Sequence, residues 1–151
     1  DRSEEIERLW NARHEAYYAV LNLAPGKKAF TTDICVPISR LTECILETKK
    51  DIKESNIIAP IVGHVGDGNF HLIMLLDPDN KNEVEQAKIL NEKLLKRAIE
   101  MKGTSTGEHG IGYGKIDFLN SELGEGVSIM RAIKLAMDPK NIMNPGKIVR
   151  V

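Results

Sequence analysis

The run FHLIMLLD at 70–77 is apolar at nearly every position, and a strand with no polar side needs cover on both faces. A chain built round such a segment is a layered fold with a sheet inside it. Residues 28–36 (KAFTTDICV) are rich in β-branched types and end at Pro37, which reads as one strand, and 57–65 reads as another. Helices alternate with them. Ile6, Leu9, Trp10, Tyr17, Val20 and Leu21 keep the 3,4 spacing of an amphipathic helix over 3–22, stopped by Pro25-Gly26, and Arg13 falls inside that stripe. Ser39 is placed to cap a helix running to about Lys53, with Leu41, Cys44, Ile45, Thr48 and Ile52 as its inner face. After the turn at Asp77-Pro78-Asp79-Asn80, the register Val84, Ala87, Leu90, Leu94, Ala98, Met101 marks a long helix. A further helix near 125–137 stops before Asp138-Pro139, and the tail from Asn141 reads as irregular.

This order of elements fits one α+β domain over residues 1–151, with helices on one face of an antiparallel or mixed sheet. Only three or four strands can be counted, so the sheet is expected to be completed from outside the chain. Asp1 in place of Met reads as the start of a fragment. A net charge of −1 argues against nucleic acid or an anionic membrane as partner. No stretch reaches the ~20 apolar residues that span a bilayer. Cys44 lies on an apolar helical stripe, and with Cys35 it reads as a reduced thiol rather than half of a disulfide.

Three of the four histidines and eight of the twelve glycines fall in two short segments, GHVGDGNFH at 63–71 and GTSTGEHGIGYG at 103–114. Asp67-Gly68 suits a two-residue hairpin turn, which would pair Gly66 with Asn69, Val65 with Phe70 and His64 with His71. Opposed residues share a sheet face with Cβ atoms about 4.5–5.5 Å apart, from which two imidazoles can converge on one ion. Glu108, between Gly107 and Gly110, is the expected third ligand. His109 beside it is then available as a base. Two nitrogens and one oxygen suit Zn²⁺, although Mn²⁺, Fe²⁺ or Co²⁺ would accept the same set. Asp67 reads as a turn residue, and Glu108-His109 would alternatively open a helix.

A guanidinium at Arg13, between Trp10 and Tyr17 on a helix's inner face, needs an anion. A substrate carboxylate would serve, as would an internal partner such as Asp33 or Glu15. Ile73, two residues after His71, places an apolar group on the same sheet face. The glycine-rich loop is not a phosphate cradle: Gly114-Lys115 is followed by Ile116, and His109 stands where a P-loop needs its first glycine. No GxGxxG fingerprint follows a strand.

At HVGDGNFH, GTSTGEHGIG and MDPKNIMNPGK, and at LWNARHEAYYAV and TTDICVPISRL, the sequence resembles the C-terminal region of FAD-linked oxidases of the vanillyl-alcohol-oxidase type. The similarity lies with the D-lactate dehydrogenase and glycolate oxidase branch, and five blocks agree in order across essentially the whole chain. The resemblance implies a ferredoxin-like α+β cap and an N-terminal FAD-binding domain that this chain lacks. Its metal ligands fall on His64, His71 and Glu108, its catalytic base on His109 and its substrate-carboxylate arginine on Arg13. The segment Asn144-Pro145-Gly146-Lys147 is similar to one that returns toward the flavin, with Asn144 as the flavin contact. Where the 2-hydroxyglutarate branch typically has lysine and asparagine, this chain has Thr31 and Ile73, which favours D-lactate or another monocarboxylate.

The activity so implied is oxidation of a small D-2-hydroxyacid to its 2-oxoacid by hydride transfer to FAD, with a divalent metal, zinc preferred, as Lewis acid. An unidentified electron acceptor then reoxidises the flavin. A homodimer is left open, and the compartment is cytoplasmic for a bacterial source or mitochondrial for a eukaryotic one. The isolated 151 residues are expected not to turn over substrate. The competing reading from the residues alone is a metal-dependent hydrolase using His64, His71 and Glu108 with His109 as base and no flavin.

Overall fold

The computed structural model describes residues 2–151, and the expectation at Asp1 lies outside them. Strand β4 (Asn69–Leu76) is buried along its whole length and organises the sheet. On one side it pairs antiparallel with β3 (Ile61–His64). On the other it pairs with β1 (Lys28–Thr31) and then β2 (Ile34–Cys35). The segment 28–36, expected as one strand, is thus interrupted at Thr32-Asp33, yet the register runs unbroken through the gap. The cause is Thr32: its N–H donates to Leu72 O, but Leu72 N donates to Thr32 Oγ1 at 2.8 Å, leaving the Thr32 carbonyl free.

Helices α2 (Ile38–Ser55) and α3 (Lys81–Glu100) cover one sheet face. Phe70, Leu72, Met74 and Leu76 point there and join Leu41, Cys44, Leu90, Leu94 and Leu95 in the main core. Each fully buried aliphatic side chain stabilises by about 1.5–3 kcal/mol, so this face carries most of the domain's stability. Ile73 and Leu75 point the other way and meet Val20 at the end of α1 (Arg2–Leu21). The α+β class and the two-sided cover of β4 are both as expected. The strand order is that of a ferredoxin-like βαββαβ unit, whose last strand has shrunk to a single bridge between Thr104 and Cys35.

Several local expectations are corrected. The hairpin loop has four residues, Val65–Gly68, so His64 pairs with Asn69 and Val62 with His71. Asp67 N closes a turn on His64 O, and only Gly68 takes positive φ (77°), where a Cβ would come 2.0 Å from Val36 O. Helix α2 starts directly after Pro37, with no side-chain cap from Ser39. Asn80 does cap α3, accepting from Asn82 N and Glu83 N. From Ile6 to Tyr17 the stripe on α1 is exposed, with Leu9 72% and Trp10 56% accessible, and only its end at Val20 and Leu21 packs against the sheet, so Arg13 does not lie on a buried face. A short helix α4 (Ile116–Leu123), without a capping side chain, precedes α5 (Gly126–Met137). Cys35 and Cys44 are free thiols, Cys44 fully buried.

Thr32→Val keeps the side chain's shape and removes the acceptor for Leu72 N. Leaving that buried N–H unpaired should cost about 1–3 kcal/mol, read as a lower urea midpoint at unchanged slope. An unchanged midpoint would refute this account of the strand break.

Candidate functional site

The strand break places Asp33 directly beside His71, almost fully buried. Its Oδ2 accepts from Thr106 Oγ1 at 2.9 Å and from the successive amides of Gly107, Glu108 and His109 at 2.9, 3.1 and 3.0 Å. Its Oδ1 accepts from Asn69 Nδ2 at 2.9 Å. Lys115 donates to the Asp33 carbonyl and its ammonium lies 3.6 Å from Oδ2. Burial pushes the Asp33 carboxyl up, but the donors, led by the His109 amide, outweigh it and hold the group well below the usual carboxylate range. Gly107 is required for this approach, since a Cβ there would come 1.8 Å from Asn69 Nδ2. The loop's entry is fixed separately: Glu122 of α4 accepts from both Ser105 N and Ser105 Oγ at 2.8 Å.

Docked in this way, the loop carries Glu108 and His109 over the odd-numbered face of β4. The freed Thr32 carbonyl lies 2.9 Å from His71 Nδ1, which donates to it. In that tautomer Nε2 carries the lone pair, and Nε2 faces Glu108 Oε1 at 2.8 Å. Two acceptors at that distance call for a cation or a second ring proton between them. The same Oε1 lies 3.5 Å from His109 Nε2 and 3.9 Å from His64 Nε2. The His71 ring centroid is 5.4 Å from that of His109 and 6.3 Å from that of His64. Ligand atoms of Asp33, His71, Glu108 and His109 all lie within 4.8 Å of one another, a spacing that could hold a metal ion.

Arg13 reaches this cluster from α1, its Nη2 lying over the His64 ring at 2.8 Å from Nε2 and 3.1 Å from Nδ1. Its partner is therefore neither Asp33 nor Glu15, the internal carboxylates weighed on sequence. Arg13, His64, His71, Glu108 and His109 line one pocket of about 240 Å³, with the cross-strand neighbours Thr31 and Ile73 also in its wall. Asn144 is not among the lining residues. It is exposed in the tail, at a positive φ of 47°, with Oδ1 accepting from Lys147. Glu108-His109 does not open a helix. Asp33 and Asn69 were missed as site residues. A signal existed for Asp33, because an aspartate inside a β-branched run is disfavoured unless its charge has work there.

Because its carboxyl is held low, Asp33 contributes stability that is complete above its unfolded-state value near 3.8 and is lost as pH falls below that toward the folded value. Asp33→Asn should therefore cost on the order of 3 kcal/mol at pH 7, and urea titrations should show the gap to wild type narrowing below about pH 4. A gap independent of pH would contradict this.

Residues 1–148 match the family described as FAD linked oxidases, C-terminal domain. Among curated relatives, the chain is 51% identical over 149 residues to a probable mitochondrial D-lactate dehydrogenase of Danio rerio, covering 98% of this chain and 30% of that protein. It is 42% identical over 150 residues to the mitochondrial D-lactate dehydrogenase [cytochrome] of Arabidopsis thaliana, covering 99% and 26%. It is 37% identical over 146 residues to glycolate oxidase subunit GlcD of Bacillus subtilis, covering 96% and 31%. The chain spans roughly a quarter to a third of the length of these relatives. On the match across nearly all its residues, the chain belongs to the family of C-terminal domains of FAD linked oxidases.

Proposed function

We propose that this chain forms the substrate- and metal-binding wall of a flavin-dependent D-2-hydroxyacid dehydrogenase, acting on D-lactate or a similarly small monocarboxylate. The observation that carries the metal part is the 2.8 Å contact of His71 Nε2 with Glu108 Oε1, which a cation or a second ring proton must bridge, with further imidazoles from His64 and His109 turned to the same oxygen. Ligands on a tetrahedral ion with 2.0–2.1 Å bonds lie ~3.3 Å apart, close to these separations. His64, His71 and Glu108 would hold the ion, zinc by ligand type. When bound, the cation would supply Lewis acidity toward the substrate hydroxyl, and FAD, held mainly by another domain, would supply the hydride acceptor. Asn144, exposed in the tail, is the residue proposed to reach the flavin.

The chain's own residues do the rest. Arg13, already beside the cluster at His64, takes the substrate carboxylate. His109, the most exposed imidazole of the cluster, receives the hydroxyl proton at Nε2. Thr31 and Ile73 line the pocket wall without a cation or an amide for a second carboxylate, which supports a monocarboxylate over a dicarboxylate. The family match sets this redox reading above a hydrolase. Relatives named as mitochondrial dehydrogenases, one with a cytochrome in its name, support a mitochondrial setting and a cytochrome-type acceptor if the source is eukaryotic.

The test is a stereospecific substrate screen on the full-length protein before and after chelation. D-lactate should be oxidised in preference to L-lactate and D-2-hydroxyglutarate, chelation should abolish turnover, and Zn²⁺ should restore it. His109→Ala should lower kcat by about 10²–10⁴-fold while metal content stays unchanged. D-hydroxyacid oxidation that survives complete metal removal would overturn the metal assignment, and retention of no flavin would overturn the redox reading.

A further inference from the structure

We infer that Asp33 is the positioning residue of this site: one buried carboxylate sets Glu108 and His109 against the Nε2 edge of His71, from behind the cluster and not as a ligand. The inference rests on the metal-site reading above. Proximity alone would admit Asp33 to the ligand set, but direction excludes it. Asp33 Oδ1 approaches His71 at Nδ1, at 3.8 Å, on the ring edge already engaged with Thr32 O. Glu108 approaches at Nε2. An ion on Nε2 is turned away from Asp33.

The carboxylate also has no capacity to spare. An ionised carboxylate offers about four lone-pair sites, and Asp33 already serves the Thr106 hydroxyl, three consecutive amides and the Asn69 amide group. Thr106 extends the hold, since its Oγ1 donates to Asp33 and accepts from Gly110 N at 2.8 Å. Both ends of the segment 106–110 thus close on one side chain. Asn69 ties the same carboxylate to the sheet, its Nδ2 donating also to Ile34 O. The segment itself is neither helix nor strand, and the N–H groups of Gly107, Glu108 and His109 all point to Asp33. The direction of the Glu108 and His109 side chains is therefore set by a group that sits behind them. Groups that orient metal ligands in this way typically change metal affinity 10–100-fold when removed.

The experiment compares full-length wild type, Asp33→Asn and the milder Thr106→Val by Co²⁺ titration, with the visible ligand-field spectrum as readout, and by hydrogen exchange of the backbone amides. Asp33→Asn should weaken Co²⁺ binding by about 10–100-fold and alter the spectrum. Exchange should accelerate at 107–109 while β4 stays protected. Thr106→Val should shift both readouts the same way to a smaller extent, and it carries the test if Asp33→Asn does not fold. Wild-type Co²⁺ affinity and spectrum in the variants, unchanged protection at 107–109, or loss of protection spread evenly over the whole sheet would each overturn the inference. Failure of wild type to bind Co²⁺ would overturn the metal reading instead, and exchange at 107–109 would still decide the role of Asp33.

Discussion

The convergence of five donors on the Asp33 carboxylate is the interaction on which the site depends. Taking a carboxylate out of water is costly unless hydrogen bonds replace the lost solvation. Here the replacements come from two places, the 106–109 loop and the central strand through Asn69, while the Lys115 ammonium just before α4 stands 3.6 Å from the carboxylate as a counter-charge. The charge that makes Asp33 costly to bury is what draws these separate pieces of chain together. The same strand interruption that admits Asp33 frees the Thr32 carbonyl for His71. One local irregularity therefore fixes both the loop's position and the tautomer of the central histidine.

Around that irregularity, β4 divides the labour of the domain by residue parity. Its even positions pack into the α2–α3 core and carry the stability. Its odd positions present His71, Ile73 and Leu75 to the other face, where α1 arrives with Val20 and Arg13. The ferredoxin-like order matters for the same reason. Because the last strand ends after the Thr104–Cys35 bridge, the chain leaves the sheet early and crosses to the pocket face as a glycine-rich loop. A full-length final strand would have kept Glu108 and His109 in the plane of the sheet.

Much of this was legible from residue patterns, and the reasons differ from element to element. The α3 stripe from Val84 to Met101 was readable because burial repeats at 3.6 residues and Asn80 caps it locally. His64 and His71 were placed on one face through an incorrect turn. The true register differs by two residues, and a shift of two preserves the face where a shift of one would reverse it. Asp33 was not legible as an anchor, because its loop partners lie 73–76 positions away and are mostly backbone amides, which carry no sequence signature. Helix α1 failed differently. Its apolar stripe was correctly seen, but a stripe says only that a face can be buried, and the residues that fill this structure leave Leu9 and Trp10 exposed.

What we propose for this pocket is a catalytic metal with His109 free beside it. The most direct measurement is a crystal structure of the zinc-loaded full-length protein with anomalous data at the zinc edge. The account predicts one peak about 2.0–2.2 Å from His64 Nε2, His71 Nε2 and a Glu108 oxygen, with an open coordination position facing Arg13 and His109 unliganded. No peak in this pocket, or an ion closed off by His109 as a fourth ligand, would contradict it.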